Sequence, residues 1–353
     1  MSSLRADVVI IGQGIAGLCL AWLLQKKGIS AILIGLSKTP PMMALAETLP
    51  PSSLVLLEQL GLKALFERSA LRKTYGYHSL WGTANIVDTN FFVHRPFQYG
   101  LKLDKQKLLI ELGNTLAQKV LAVDRWSDFD PIQRTLRIQR DTKQETITGK
   151  IFVDATGRRR ALLKALRIPT QESDQQLAFT CHLPRIRHPK IKHEVFTELF
   201  AQGWGIVSGL DEETNVLTLF TEKGSPLARH LCDYTKWKEV LTETQILQDF
   251  LVSDHAVRVK VATANSSRAA QIAGQNWLAV GDTAIAFDPL SSHGITNAVY
   301  TAWQAQEAIA QTLKSDLQTP LVEYAHTLEK IFATYLHTQR QLKKIGRYNP
   351  ITG

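Results

Sequence analysis

The sequence predicts an α/β architecture, α+β when the whole chain is counted. It has a parallel sheet wrapped by helices, an antiparallel β-rich insertion and a C-terminal helix. Three observations carry this. Residues 7–17, Asp-Val-Val-Ile-Ile-Gly-Gln-Gly-Ile-Ala-Gly, run a strand that is charge-free from Val8 into a glycine-rich turn, as a parallel strand covered on both faces should. The same pattern, a short apolar strand ending in small residues, returns at Ile151-Phe152-Val153 and at Trp277-Leu278-Ala279-Val280. Between 169 and 262 it gives way to strands at 193–200, 204–210 and 216–222, joined by short turns such as Asp211-Glu212-Glu213-Thr214-Asn215. The expected boundaries are 1–74, 101–168 and 263–315 for the parallel-sheet domain, 75–100 and 169–262 for the insertion, and 316–353 for a helical segment.

The first strand feeds Gly12, Gly14 and Gly17, the spacing of a Rossmann-type fingerprint. The first glycine permits the tight turn, the second lets a pyrophosphate approach the backbone, and the third lets helix and strand pack closely. The following helix points N–H groups and its positive dipole end at the phosphates, and Lys26, Lys27 and Gly28 close it. Residues 30–36 form a second strand. A dinucleotide fold normally ends that strand in an acid that bonds a ribose hydroxyl. Here Gly35, Leu36, Ser37 and Lys38 stand there, which argues against NAD as the resident ligand.

A Pro-rich connection follows, with Thr39-Pro40-Pro41 and Glu47-Thr48-Leu49-Pro50-Pro51. Long ordered loops are usually functional, so Glu47 stands equally as a solvated carboxylate or an active-site group. A helix then aligns Leu54, Leu57 and Leu60. From 74 to 100, Tyr75, Tyr77, His78, Trp81, Phe91 and Phe92 crowd together without a helical period, as sheet core or as the wall of an apolar pocket. Asp104 caps a helix carrying Leu108, Leu109, Leu112 and Leu116. Residues 135–140 and 145–148 form a hairpin. A long amphipathic helix spans 320–345, with Leu321, Tyr324, Leu328, Ile331 and Tyr335 on one side.

Composition narrows the function classes. The 353 residues are 44% hydrophobic and 21% charged, ordinary for a soluble globular protein. No apolar run reaches the roughly 18 residues of a membrane span, and the first strand begins too early for a signal peptide. Cys19, Cys181 and Cys232 are scattered without a CxxC pair, so neither a disulfide framework nor a metal site is expected, and a cytoplasmic location follows. The net charge of +9 includes Arg158-Arg159-Arg160 and the basic stretch 185–193. Two readings stand: a solvated surface, or docking of an anionic partner or cofactor phosphate. Nucleic acid is not expected, because no recognition module accompanies the charge.

Three separated elements, GQGIAG at 12–17, VDATGR at 153–158 and AVGDTAIAFDPLSSHG at 279–294, together resemble the FAD-dependent monooxygenases of the aromatic hydroxylase type. The resemblance implies FAD on a Rossmann-like domain and a substrate domain in the insertion. It implies cofactor contacts from Gly12, Gly14, Ile15, Ala16 and Gly17 at the pyrophosphate. Thr48, Lys105, Gly157 and Gly281 are implied as well, with Asp282 on the ribityl chain. The loop formed by Asp288, Pro289, Ser292, Gly294 and Ile295 would lie against the isoalloxazine.

Within that class, Glu47-Thr48-Leu49-Pro50-Pro51-Ser52 is similar to the Gly-Glu-Ser-x-Pro-Pro element of the tryptophan-halogenase-like branch, with Ala46 and Thr48 as departures. Ser79-Leu80-Trp81-Gly82 and Leu103-Asp104-Lys105 resemble one subgroup, the flavoproteins that modify a tryptophan of a partner polypeptide during cysteine tryptophylquinone biosynthesis. Halogenation itself is not expected. The Trp-x-Trp-x-Ile-Pro element is absent, Gly203-Trp204-Gly205-Ile206 standing in the comparable stretch, and no lysine falls between Tyr77 and Leu80. The resemblance therefore implies hydroxylation of a tryptophan in a quinoprotein precursor through a flavin C4a-hydroperoxide, with O2 as co-substrate and NAD(P)H or a separate reductase as donor. Trp81 and Trp204 would line the substrate pocket, and His78, Glu47 and His293 are candidates for proton handling or flavin tuning. A lone histidine such as His78 is more often a hydrogen-bonded structural residue, and His293 reads alternatively as a capping or solvent-facing side chain. A small-molecule aromatic hydroxylase and a chaperone-like maturation flavoprotein are the alternatives.

Overall fold

The computed structural model describes residues 3–38, 43–253 and 257–347; Thr39-Pro40-Pro41 lies outside them. It is a mixed α/β fold that divides into two compact units. The first comprises 1–42, 106–172 and 267–334, the second 43–105, 173–266 and 335–353. The division differs from the sequence boundaries at 43–74 and 101–105, which join the second unit, and at the expected helical segment 316–353, which is no unit of its own: 316–334 belong to the first unit and 335–353 to the second. The reason for the first difference is a small antiparallel sheet, in which strand Gly100–Leu103 pairs with both Thr48–Leu49 and Ala70–Thr74. Neighbours along the chain are thereby claimed by pairing that local patterns do not reveal.

The first unit is built on strand β1 (Ser3–Ile11), helix α1 (Ile15–Lys26) and strand β2 (Ala31–Leu36). β1 lies between β2 and strand Lys143–Asp154, parallel to both. Strand Trp277–Ala279 continues the parallel array beyond Asp154. Val8, Val9 and Ile10 are fully buried, as the charge-free run requires. Register matters more than strand identity here: Ile11 pairs with Asp154, and Asp154 with Ala279. The turns that follow these three strands therefore leave the sheet at one carboxyl edge, where open α/β sheets bind ligands. The 145–148 and 151–153 segments, read separately in the sequence, are one twelve-residue strand. Its first half forms the expected hairpin with Thr135–Arg140.

The second unit contains a seven-stranded sheet. In order, its strands are Lys260–Thr263, Gln176–Pro184, Thr214–Glu222, Gly203–Gly209, Val195–Phe200, Gly76–Leu80 and Val87–Asn90. All pairs are antiparallel except Val195–Phe200 with Gly76–Leu80. One face carries Leu80, Phe179, Phe196, Val207, Leu217 and Leu219, packed under Trp237, Leu241, Leu247 and neighbours from short helices. Residues of opposite parity, including Trp204 and Ser208, point to the other face. Among the described residues, no helix is long and apolar enough to cross a membrane.

Candidate functional site

At the first turn, Gly12 has φ +119°, and a Cβ there would meet Ala155 O at 2.4 Å. A Cβ on Gly17 would stand 2.0 Å from Gly12 O, whereas one on Gly14 would meet nothing within 4 Å. Gly12 and Gly17 are thus glycines for internal packing, and Gly14 is the one that leaves room for a ligand. α1 begins in extended backbone at Gly14, with no side-chain cap and no acid in its first turn. A helix start of this kind favours an anion.

The missing acid at the end of β2 has a structural counterpart that the sequence did not reveal. The Gln13 side chain lies across that strand end and donates to Leu36 O at 3.4 Å; a Cβ on Gly35 would fall 2.3 Å from Gln13 Oε1. Gly35 therefore makes room for the middle residue of the fingerprint.

The second element is held by Asp154, which is fully buried. It accepts from Leu162 N and Leu163 N at 2.8 and 3.0 Å, and from Thr156 N and Oγ1 at 3.0 and 2.6 Å. Burial raises its pKa, and these four bonds oppose that rise. Gly157, at φ +64°, accepts from Thr283 Oγ1 at 3.1 Å. Arg158 and Arg160 correct the solvated-surface reading of their cluster. Arg160 is buried in the left-handed region and donates to Thr283 O at 3.0 Å and Asp282 O at 3.1 Å. Arg158 donates to Phe287 O at 2.9 Å, and its Nε stands 3.5 Å from Asp282 Oδ2. Arg158 of the second element and Arg160 just beyond it thus fix the backbone of the third.

In the third element, Gly281 has φ +59°, and a Cβ there would meet Ala16 Cβ at 2.9 Å. Asp282 follows in a short turn, Asp288 is buried, and Ser292 is left-handed. Helix Gly294–Ser315 starts just beyond and packs on α1, with Ala302 and Ala305 fully buried. Asn297 ties it back to Ile285 O at 2.8 Å. Gly12–Gly17, Gly157, Gly281–Asp282 and Asp288–Ile295 therefore gather at one sheet edge. His293 is exposed, its Nδ1 bonded to Ser291 O.

The remaining candidates lie in the second unit. Glu47 Oε1 and Lys105 Nζ are 2.8 Å apart, both partly buried. Beside Glu47, Ala46 adopts φ +52°. Between them and the large sheet sits Lys102, which sequence reasoning missed. The only sign of it was a lone cation in the apolar run Gly-Leu-Lys-Leu. Its side chain is 0% exposed, and it donates to Ala46 O at 3.0 Å, Thr48 Oγ1 at 2.7 Å and Ser208 Oγ. Burial pulls its pKa down to about 7.

Trp204 stacks on Phe220 with centroids 3.9 Å apart, meets Trp81 edge-on at 5.9 Å, and gives its indole N–H to Gln176 Oε1 at 3.0 Å. Trp204 is buried while Trp81 is half-buried, so Trp204 braces an aromatic wall that Trp81 presents.

His78 is placed differently from its expected role. It is buried on the face that carries Leu80, away from Trp204. Its Nε2 accepts from Lys192 N at 2.8 Å and His193 N at 3.1 Å. That leaves the ring proton on Nδ1, which has no hydrogen-bond partner and lies 3.9 Å from Asp88 Oδ1. Burial lowers its pKa. The geometry makes His78 a clamp on the 192–193 backbone. His78, Asp88 and His193 also stand close enough to share a cation, but the His78 tautomer opposes this. Ligation through Nδ1 would require the proton on Nε2, which already accepts two backbone donors.

The chain matches the FAD binding domain family over residues 5–336 and belongs to it, so it is a member of an FAD-dependent oxidoreductase family. Among its relatives is a protein of Marinomonas mediterranea named as a candidate FAD-dependent oxidoreductase, LodB. It is 24% identical over 347 residues, covering 95% of this chain and 92% of the relative. The fold is similar to that of CmlS, a flavin-dependent halogenase, with TM-score 0.84 and 20% identity over 98% of this chain and 66% of that one. It is also similar to QhpG, a peptidyl tryptophan dihydroxylase essential for tryptophylquinone cofactor biogenesis, with TM-score 0.75 and 19% identity over 98% and 76%.

Proposed function

We propose that this protein is an FAD-dependent monooxygenase that hydroxylates a tryptophan side chain presented by a partner polypeptide, a quinoprotein precursor, during tryptophylquinone biosynthesis. The first turn fits the cofactor: room at Gly14, an uncapped helix start and close-packed Gly12 and Gly17 are what a pyrophosphate requires. Asp282 and the 288–295 loop would hold its ribityl and ring portions. When bound, FAD supplies the means to reduce O2 and deliver one oxygen atom to an electron-rich ring, with NAD(P)H or a separate reductase as the electron source. The chain's own residues orient the substrate and handle the proton. Trp81, braced by Trp204 and Phe220, offers an aromatic edge to an indole. Of the three proton-handling candidates, Glu47 is the serviceable one. Its carboxylate is partly buried and oriented by Lys105, whereas His78 is committed to the backbone and His293 is exposed.

The observation that carries this reading over halogenation is the sequence itself, in which the Trp-x-Trp-x-Ile-Pro element is absent and no lysine falls between Tyr77 and Leu80; Lys102 does not replace that lysine. It is the one fully buried lysine among the described residues, and its ammonium already gives its three N–H groups to three acceptors. An amine closed off in this way does not meet a reactive halogen species. Similarity to QhpG, along with the absence of the halogenase tryptophan element, supports a peptidyl tryptophan as substrate.

The test combines the protein with FAD, a reducing system, O2 and a precursor carrying the target tryptophan, followed by peptide mass spectrometry. One or two added oxygens on a single tryptophan are expected. An unmodified tryptophan refutes the reading, oxidation of free indole or phenol without a partner moves it to a small-molecule hydroxylase, and a halide-dependent product moves it to a halogenase. Partner maturation by a variant unable to bind FAD would leave a chaperone role.

A further inference from the structure

Residues 44–48, which carry Glu47, are pinned to the second unit by side chains from three strands. His182, on strand Gln176–Pro184, donates through Nε2 to Ala44 O at 2.8 Å. Ser208, on strand Gly203–Gly209, donates to Ala46 O at 3.2 Å. Lys102, on strand Gly100–Leu103, donates to Ala46 O at 3.0 Å and to Thr48 Oγ1 at 2.7 Å, so it grips the chain on both sides of Glu47. All of these residues, with Lys105, belong to the same unit.

Ala46 is the strained point of this segment. Its φ of +52° is left-handed, a conformation that a residue with a Cβ holds only when its surroundings impose it. Relaxing that angle would swing the Ala46 carbonyl and the following Glu47 relative to Ala44, and Glu47 would leave Lys105, its partner at 2.8 Å. Lys102 is suited to prevent this. Its ammonium has three N–H groups and no acceptor. Two go to the loop and the third to Ser208 Oγ, which itself donates to Ala46 O. Bonds from a charged donor are about twice as strong as neutral ones. With no exposed surface, Lys102 reaches neither solvent nor a ligand, so any effect it has on chemistry passes through the loop.

We propose that Lys102 is the positioning residue of Glu47: its bonds to Ala46 O and Thr48 Oγ1 hold Ala46 left-handed and thereby set the Glu47 carboxylate against Lys105. The effect on turnover rests on the proton-handling role proposed above for Glu47. The placement itself is a property of the folded chain and is measured without substrate.

Carboxyl footprinting of the flavin-loaded protein tests this. Carbodiimide and glycine ethyl ester label carboxylates, peptide mass spectrometry follows Glu47, and the exposed Glu212 serves as internal standard. Lys102→Met should speed Glu47 labelling by about tenfold, the order of the population an alanine loses in the left-handed region. Adding Ala46→Gly to that variant should return most of the protection, because glycine takes the left-handed region freely. A lysine that only filled the core would show no such rescue, since a glycine at 46 would loosen the loop further. If Lys102→Met folds poorly, Thr48→Ala removes one loop acceptor and should shift labelling in the same direction, again offset by Ala46→Gly. In turnover of the tryptophan peptide, Lys102→Met should lower kcat with KM unchanged, and should have no further effect in a Glu47→Gln background. Native kcat in Glu47→Gln would remove the proton-handling role of Glu47, while the labelling still decides its placement. Unchanged labelling in the Lys102→Met or Thr48→Ala variant, an Ala46→Gly effect that adds to theirs, or an equal loss of kcat from Lys102→Met with and without Glu47 would each overturn the proposal.

Discussion

Replacing Lys102 with methionine tests the reading of the 46–48 loop through its pH dependence. The side chain is wholly buried, and its pKa falls from 10.5 to about 7 because burial penalises the ammonium. Since the folded-state value lies below the unfolded one, the unfolded chain binds the additional proton between those limits. Stability conferred on the native protein therefore rises with pH from about 7 toward 10.5. Near pH 7 the folded lysine is half-protonated while the unfolded one is fully so. With about 1.4 kcal/mol per pKa unit, the linkage between pH 7 and pH 9 amounts to about 2 kcal/mol.

Lys102→Met removes this titration whatever its net effect at one pH. Lost bonds to Ala46 O, Thr48 Oγ1 and Ser208 Oγ destabilise, and the relieved desolvation stabilises. Denaturant unfolding of both proteins at pH 7, 8 and 9, with FAD saturating, measures the difference. Relative to the native protein, the variant should lose about 2 kcal/mol across that range. A difference that stays constant with pH would refute the burial and charge assigned to Lys102.

Three further outcomes follow from the same geometry. Gly17→Ala places a Cβ 2.0 Å from Gly12 O, so α1 must shift and flavin stoichiometry should collapse; normal flavin content in that variant would refute the packing role. The strand end at Gly35 carries the Gln13 amide in place of an acid, so the adenosine end should be loosely held and flavin lost on extensive dialysis, which a preparation that stays stoichiometrically yellow would refute. Trp204→Ala should cost about 3–5 kcal/mol, as large buried aromatic truncations do, whereas Trp81→Ala should leave the melting temperature nearly unchanged and lower substrate turnover by tenfold or more; unaltered turnover would remove Trp81 from the substrate wall.

The sequence by itself determined the class of fold and the place of its glycine-containing turns at strand ends. A charge-free strand, glycines at fixed spacing and small residues at strand ends are local constraints. They show in a linear pattern because the backbone imposes them wherever the chain folds around them. The positive φ at Gly12 and Gly281 is a local constraint that favours glycine, while the close approach of Ala155 and Ala16 to them is tertiary.

Tertiary structure alone decided which charged groups face inward. Arg158 and Arg160 read as surface cations, yet they reach more than 100 residues along the chain to Phe287, Asp282 and Thr283. His78 read as a structural residue or a proton-transfer candidate, and strand parity set it beneath the sheet, where the 192–193 backbone takes its Nε2. Lys102 drew no reading from the sequence, and only the approach of Ala46, Thr48 and Ser208 makes it a buried cation. The physical reason is the same in each case. A side chain's burial and hydrogen-bond partners are set by strand register between distant segments, and one position of register exchanges the two faces of a strand.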